Sequence, residues 1–122
     1  MLQARSFLEC SDNPFDSVAF PAANKVCVKY KEGKVFFLLS RRGEAIEIHV
    51  LAVGRDGKLC LMDACNKIIN EVRDMFPWVK MLIAPVKLHS VYNLCLKLGF
   101  NDLGVIESPD HGKCRLMVID YG

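Results

Sequence analysis

Two short stretches of this chain combine residue types at spacings that suit chemistry. In Ile46-Glu47-Ile48-His49-Val50-Leu51 the side-chain character alternates. A strand with that pattern turns Ile46, Ile48 and Val50 to one side and Glu47, His49 and Leu51 to the other. One face is then core, and the other carries two ionisable groups at adjacent positions. Shortly afterwards comes Gly54-Arg55-Asp56-Gly57-Lys58, which reads as a two-glycine loop opening a helix. The N–H groups at a helix start, together with the macrodipole, favour a phosphate there. Arg55 and Lys58 add positive charge, and Gly54 and Gly57 let a backbone come close. The same five residues also suit an ordinary solvated turn, so the spacing leaves both readings open. The stretch does not match Gly-x-x-x-x-Gly-Lys-Ser/Thr, which argues against a nucleoside triphosphatase.

The elements that must hold these stretches follow from periodicity. Residues 1–25 are the least regular: Phe7, Leu8, Phe15, Val18 and Phe20 are apolar anchors, with short helical pieces between, while Pro14 and Pro21 prevent one long helix. Residues 26–30, 35–40 and 45–52 read as three antiparallel strands joined by short turns. An amphipathic helix over 59–76 follows, with Leu61, Met62, Cys65, Ile68, Ile69, Val72, Met75 and Phe76 as its apolar stripe, until Pro77 stops it. Residues 79–84 form a near-continuous apolar run of the kind found in a central strand. Leu88, Val91, Tyr92, Cys95 and Leu98 mark a second helix, closed by Gly99. Two last strands, 100–107 and 113–121, flank the turn cluster at 108–112. The order β-β-β-α-β-α-β-β implies one α+β domain over residues 1–122. A right-handed crossover makes strands 45–52 and 79–84 parallel neighbours.

Composition narrows the function classes. The chain has 122 residues, 52% of them hydrophobic and 25% charged, with a formal net charge of +2. Disorder is excluded, and so weak a charge gives no reason to expect nucleic acid or an anionic membrane as partner. The apolar runs are strand-sized, far short of a membrane helix, and no basic-then-apolar leader opens the chain. The six cysteines form no Cys-x-x-Cys pair and lack a His at zinc-ligand spacing, so no metal is expected and the thiols read as reduced.

Residues 46–100 resemble the core of the GNAT superfamily of acyl-CoA-dependent N-acyltransferases. The matching features are the strand Ile46-Glu47-Ile48-His49-Val50-Leu51-Ala52-Val53, the short basic-glycine loop and the amphipathic helix after it. The strand Met81-Leu82-Ile83-Ala84 then leads to a helix ending Leu94-Cys95-Leu96-Lys97-Leu98-Gly99-Phe100, whose last four residues are a common family close. The shortened loop looks similar to that of small acyltransferase-like proteins encoded by tailed phages.

The resemblance implies a mixed, mostly antiparallel sheet with a central parallel pair, two main helices and a shortened N-terminal region. It implies an N-acetyltransferase that uses acetyl-CoA as co-substrate and transfers directly to an unidentified amine. Carried onto this chain, Arg55, Gly57 and Lys58 would hold the pyrophosphate, with Leu51 and Val53 offering backbone to the pantetheine arm. Glu47 and His49 are the candidate bases, and a neutral His suits proton removal near neutral pH. The family's acidic Tyr falls at Cys95 here, with Tyr92 one turn earlier as a substitute, and the family's Asn falls near Leu88. Such worn positions imply a second reading: a catalytically degenerate GNAT-fold phage accessory or virion protein, working through a protein partner or a homo-oligomer. Either version places the chain in a cytoplasm, a host's if it is phage-encoded, or in the virion.

Overall fold

The computed structural model describes residues 7–9, 25–30 and 33–122. The described strands are β1 (Phe7–Glu9), β2 (Lys25–Tyr30), β3 (Val35–Arg42), β4 (Ala45–Ala52), β5 (Met81–Val86), β6 (Asn101–Ser108) and β7 (Gly112–Asp120). The helices are α1 (Gly54–Leu59), α2 (Leu61–Met75) and α3 (His89–Lys97). The strands form one sheet in the order β1-β2-β3-β4-β5-β7-β6. Every neighbouring pair is antiparallel except β4 and β5, which run parallel as expected. The mixed sheet with a parallel pair is the architecture anticipated from the periodicity.

Burial alternates along β5, whereas β3 buries Phe37 to Ser40 without a break. Ile46, Leu82 and Met117 are fully enclosed beneath α2, which lays down Ala64, Cys65, Ile68, Val72 and Met75. α3 adds Cys95 to the same core. It ends in a paired-bond cap: the Phe100 N–H donates to the Cys95 carbonyl at 3.0 Å and the Gly99 N–H to Leu96 at 3.2 Å. Gly99 takes the left-handed conformation this close requires, with φ +92°. Leu82, the second residue of β5, is completely buried. Leu82→Ala should therefore cost about 2–5 kcal/mol, read as a lower urea midpoint without a change in slope.

Two segments differ from the periodicity reading. Phe7–Glu9 is a strand on β2, with Phe7 opposite Tyr30, where an irregular start with short helical pieces was anticipated. Phe7 is buried and its ring lies 5.3 Å from that of Tyr30 and 5.6 Å from that of Phe37, so aromatic packing holds the short strand down. The anchors Phe15, Val18 and Phe20 fall outside the described residues. The second difference lies at residues 54–58, which form the helix α1 and not a loop. Gly54 turns the chain out of β4 with φ +65°, and α2 begins only at Leu61, after a break at Cys60. Among the described residues, no helix is long and apolar enough to cross a membrane.

Candidate functional site

β4 and β5 are paired only where Ala45, Ile46 and Glu47 face Met81, Leu82 and Ile83. Beyond that point each continues, β4 to Ala52 and β5 to Val86, but they no longer bond to one another. Pro85 fits there, because it has no N–H to give to a neighbouring ladder. A cavity of about 550 Å³ fills the opening. The gap lets one space touch both sides of the sheet. Ile48 and Val50 meet it from the helix side and His49 from the other, while Ile68, Val91 and Cys95 form walls between α2 and α3. The walls are mostly apolar, and His111, from the turn joining β6 to β7, stands at the rim with His49.

The ionisable groups gather around Glu47. Its side chain is buried, yet its Oε2 accepts hydrogen bonds from His49 Nε2 at 2.8 Å and His111 Nε2 at 3.0 Å. Its Oε1 accepts one from Arg42 Nε at 3.3 Å, and the same guanidinium reaches Asp110 at 3.1 Å. Burial alone would raise the Glu47 pKa, but the two imidazole hydrogen bonds and the charges of His49 and Arg42 outweigh it. The carboxyl is held down at about 2. Glu47 is thus a fixed carboxylate that does not line the cavity, while His49 does. The alternation reading of β4 holds: Ile46, Ile48 and Val50 pack on the core, and Glu47 and His49 share the other face.

At the far end of β4, Leu51 and Val53 are partly exposed beside the start of α1, and Arg55 and Lys58 project from α1 into solvent. The Val53 N–H donates to the Lys34 carbonyl at 2.8 Å, and the Val53 carbonyl accepts the Gly57 N–H at 3.1 Å. No side chain caps this helix start. Gly57 is buried because α1 lies directly on the turn before β3; a Cβ there would stand 2.3 Å from the Lys34 carbonyl oxygen.

The remaining candidates separate. Cys95 lines the cavity, and burial pushes its thiol up to about 11, so it keeps its proton at neutral pH. Tyr92 lies outside the cavity walls: its hydroxyl donates to Asp102 at 3.1 Å, a bond that raises its pKa. Leu88 is exposed just before α3 and lines the cavity. His111 and Arg42 were missed. Each sits in or beside a tight turn, and only folding brings residues 64 positions apart together at Glu47. The sequence signal, in retrospect, was chemical: His111 is one of only three histidines.

No family model matches the chain, and no curated protein sequence does either. Solved structures do. The aminoglycoside acetyltransferase AAC(6')-Ib in complex with coenzyme A superposes with a TM-score of 0.68 at 15% identity, covering 80% of this chain and 67% of that one. A chimera of the spermidine N-acetyltransferase SpeG from Vibrio cholerae gives 0.64 at 10% identity, covering 81% and 71%. A protein from Bacillus halodurans gives 0.66 at 14% identity, covering 80% and 60%. The chain spans about two thirds of the length of these proteins. At such identities the likeness shows the fold alone, a GNAT-like α+β fold.

Proposed function

We propose that this chain is an acyl-CoA-dependent N-acetyltransferase that transfers an acetyl group directly to an amine. The observation that carries the reading is the parting of β4 from β5 over an apolar cavity with His49 on its wall. Similar solved proteins hold coenzyme A or acetyl-CoA. The residues here suit that co-substrate: an apolar slot between strands for the pantetheine arm and a cationic helix start for the pyrophosphate. Arg55, Lys58 and the N–H groups of the first turn of α1 would hold the phosphates. Leu51 would offer backbone to the arm, whereas both backbone groups of Val53 already serve α1 and the Lys34 carbonyl. Bound acetyl-CoA supplies the acyl thioester. His49 accepts the amine's proton, Glu47 holds the imidazole in place, and the Cys95 thiol supports the arm from the wall.

Replacing both Arg55 and Lys58 with Glu puts like charge against the pyrophosphate. Acetyl-CoA affinity should fall at least tenfold, about 1.4 kcal/mol, in titration calorimetry. Unchanged affinity in the folded double variant would rule this location out. The polyamine and aminoglycoside acetyltransferases of similar fold make a panel of such amines the first acceptors to try with the parent chain.

A second reading has its own support. The Tyr92 hydroxyl is engaged with Asp102 away from the cavity, so no tyrosine is set to protonate a departing thiolate. On that reading the chain keeps the fold without catalysis and acts through a protein partner, as an accessory or virion component. Its kinship would then be with small acyltransferase-like proteins encoded by tailed phages, whose loop is often shortened to Arg-Gly-Lys. Absence of acetyl-CoA binding at high concentration would favour it over the enzyme.

A further inference from the structure

We propose that Glu47, His49 and His111 form a three-ligand site for a divalent transition-metal ion of the zinc type at the rim of the cavity. Two imidazole nitrogens and one carboxylate oxygen lie within 4.8 Å of one another. The two Nε2 atoms stand 2.8 and 3.0 Å from the same Oε2. A tetrahedral zinc with bonds of about 2.0–2.1 Å needs neighbouring ligand atoms roughly 3.3 Å apart, so small side-chain rotations admit the ion. Two His and one carboxylate is the donor set of zinc sites that keep a fourth position open. Here that position faces the cavity, because His49 and His111 both line it.

The supports behind the ligands fit the same role. Arg42 holds Oε1 at 3.3 Å and thereby presents Oε2 to the two rings. Its other bond, to Asp110 at 3.1 Å, ties the turn that carries His111 to the β3–β4 hairpin. Hydrogen-bonded ligands and outer partners of this kind fix metal-site geometry. Ser40 stands beside the carboxylate in the sheet. It pairs with Glu47 across β3 and β4, so the two side chains share a face. Ser40 is buried, and its hydroxyl has no hydrogen-bond partner among the described residues.

Binding exchanges two N–H···O bonds for three metal–ligand bonds, and the hydrogen displaced from each coordinating Nε2 goes to Nδ1 or to solvent. The site stands whether or not the chain transfers acetyl groups. Only its consequence rests on the transferase reading: a metal on His49 takes away the proton acceptor and blocks transfer.

The test uses the full chain, free of any affinity tag and stripped with a chelator. Zn²⁺ is titrated by calorimetry and Co²⁺ by visible absorption. Saturable binding of one ion per chain is expected, with cobalt bands free of thiolate charge transfer, since five described cysteines offer a rival donor set. His111→Ala and Glu47→Gln should each weaken binding at least tenfold while the chain still unfolds cooperatively. If Glu47→Gln does not fold, His111→Ala, on an exposed turn, decides alone. Absence of saturable binding at millimolar metal, unchanged affinity in His111→Ala, or thiolate bands in the cobalt spectrum would each overturn the site. None of these readouts depends on acetyl transfer, so failure of the transferase reading leaves them intact.

Discussion

His49→Gln should lower acetyl transfer by about 10²- to 10⁴-fold while leaving acetyl-CoA affinity nearly unchanged, the range that general-base assistance supplies. Glutamine keeps the length and polarity of the side chain but cannot take up a proton. The split between turnover and affinity is the diagnostic part, because a merely structural loss would lower both. His49 is favoured over Glu47 on geometry: the imidazole lines the cavity, whereas the carboxylate is buried behind it and bonded to two rings and a guanidinium. Glu47→Gln is the matched control. If it abolishes turnover while His49→Gln remains active, the base role passes to Glu47. Full activity in both variants removes both residues from the reaction. The assays are run with a chelator present, so that metal at the same trio does not mask the comparison.

What the sequence made legible, and what it did not, divides along contact distance. The face shared by Glu47 and His49 was readable from period two alone, because a β-strand leaves no other option once Ile46, Ile48 and Val50 face the core. The parallel placement of β4 and β5 followed equally from local order, since a strand–helix–strand crossover has one favoured hand. The Glu47 cluster was not readable, because its other members come from different hairpins. Glu47 taken alone reads as an exposed strand carboxylate; only Arg42, His49 and His111 make its burial tolerable. Tyr92 is a different case. The resemblance offered it as a substitute for the family's acidic Tyr, and Asp102 and Arg115 on β6 and β7, which only folding brings near, hold its ring and hydroxyl on the outer side. The short first strand was missed because three residues carry no detectable period, and its aromatic partners lie in β2 and β3.

Gly57 offers a test in which two physical effects predict opposite signs. By helix propensity, Gly57→Ala should stabilise the chain by about 0.5–1 kcal/mol, since Gly is the costlier residue inside a helix. By packing, the new Cβ would stand 2.3 Å from the Lys34 carbonyl oxygen and 3.2 Å from the Ala52 carbonyl carbon, both backbone atoms. Neither can swing aside as a side chain would. The Lys34 carbonyl is also the acceptor of the Val53 N–H at 2.8 Å, so displacing it strains the junction between β4 and α1. Overpacking of this kind costs about 1–3 kcal/mol and outweighs the propensity gain. Gly57→Ala should therefore melt on the order of 5 °C lower than the parent chain. Acetyl-CoA affinity should fall with it, because α1 has to move away from the opening between β4 and β5. The glycine so placed is a spacer that seats α1 on the turn before β3, a different close approach from the one to a phosphate that its sequence context suggested. A melting temperature equal to or above that of the parent, with affinity unchanged, would mean that α1 does not sit against Lys34 and that the helix start is free to shift.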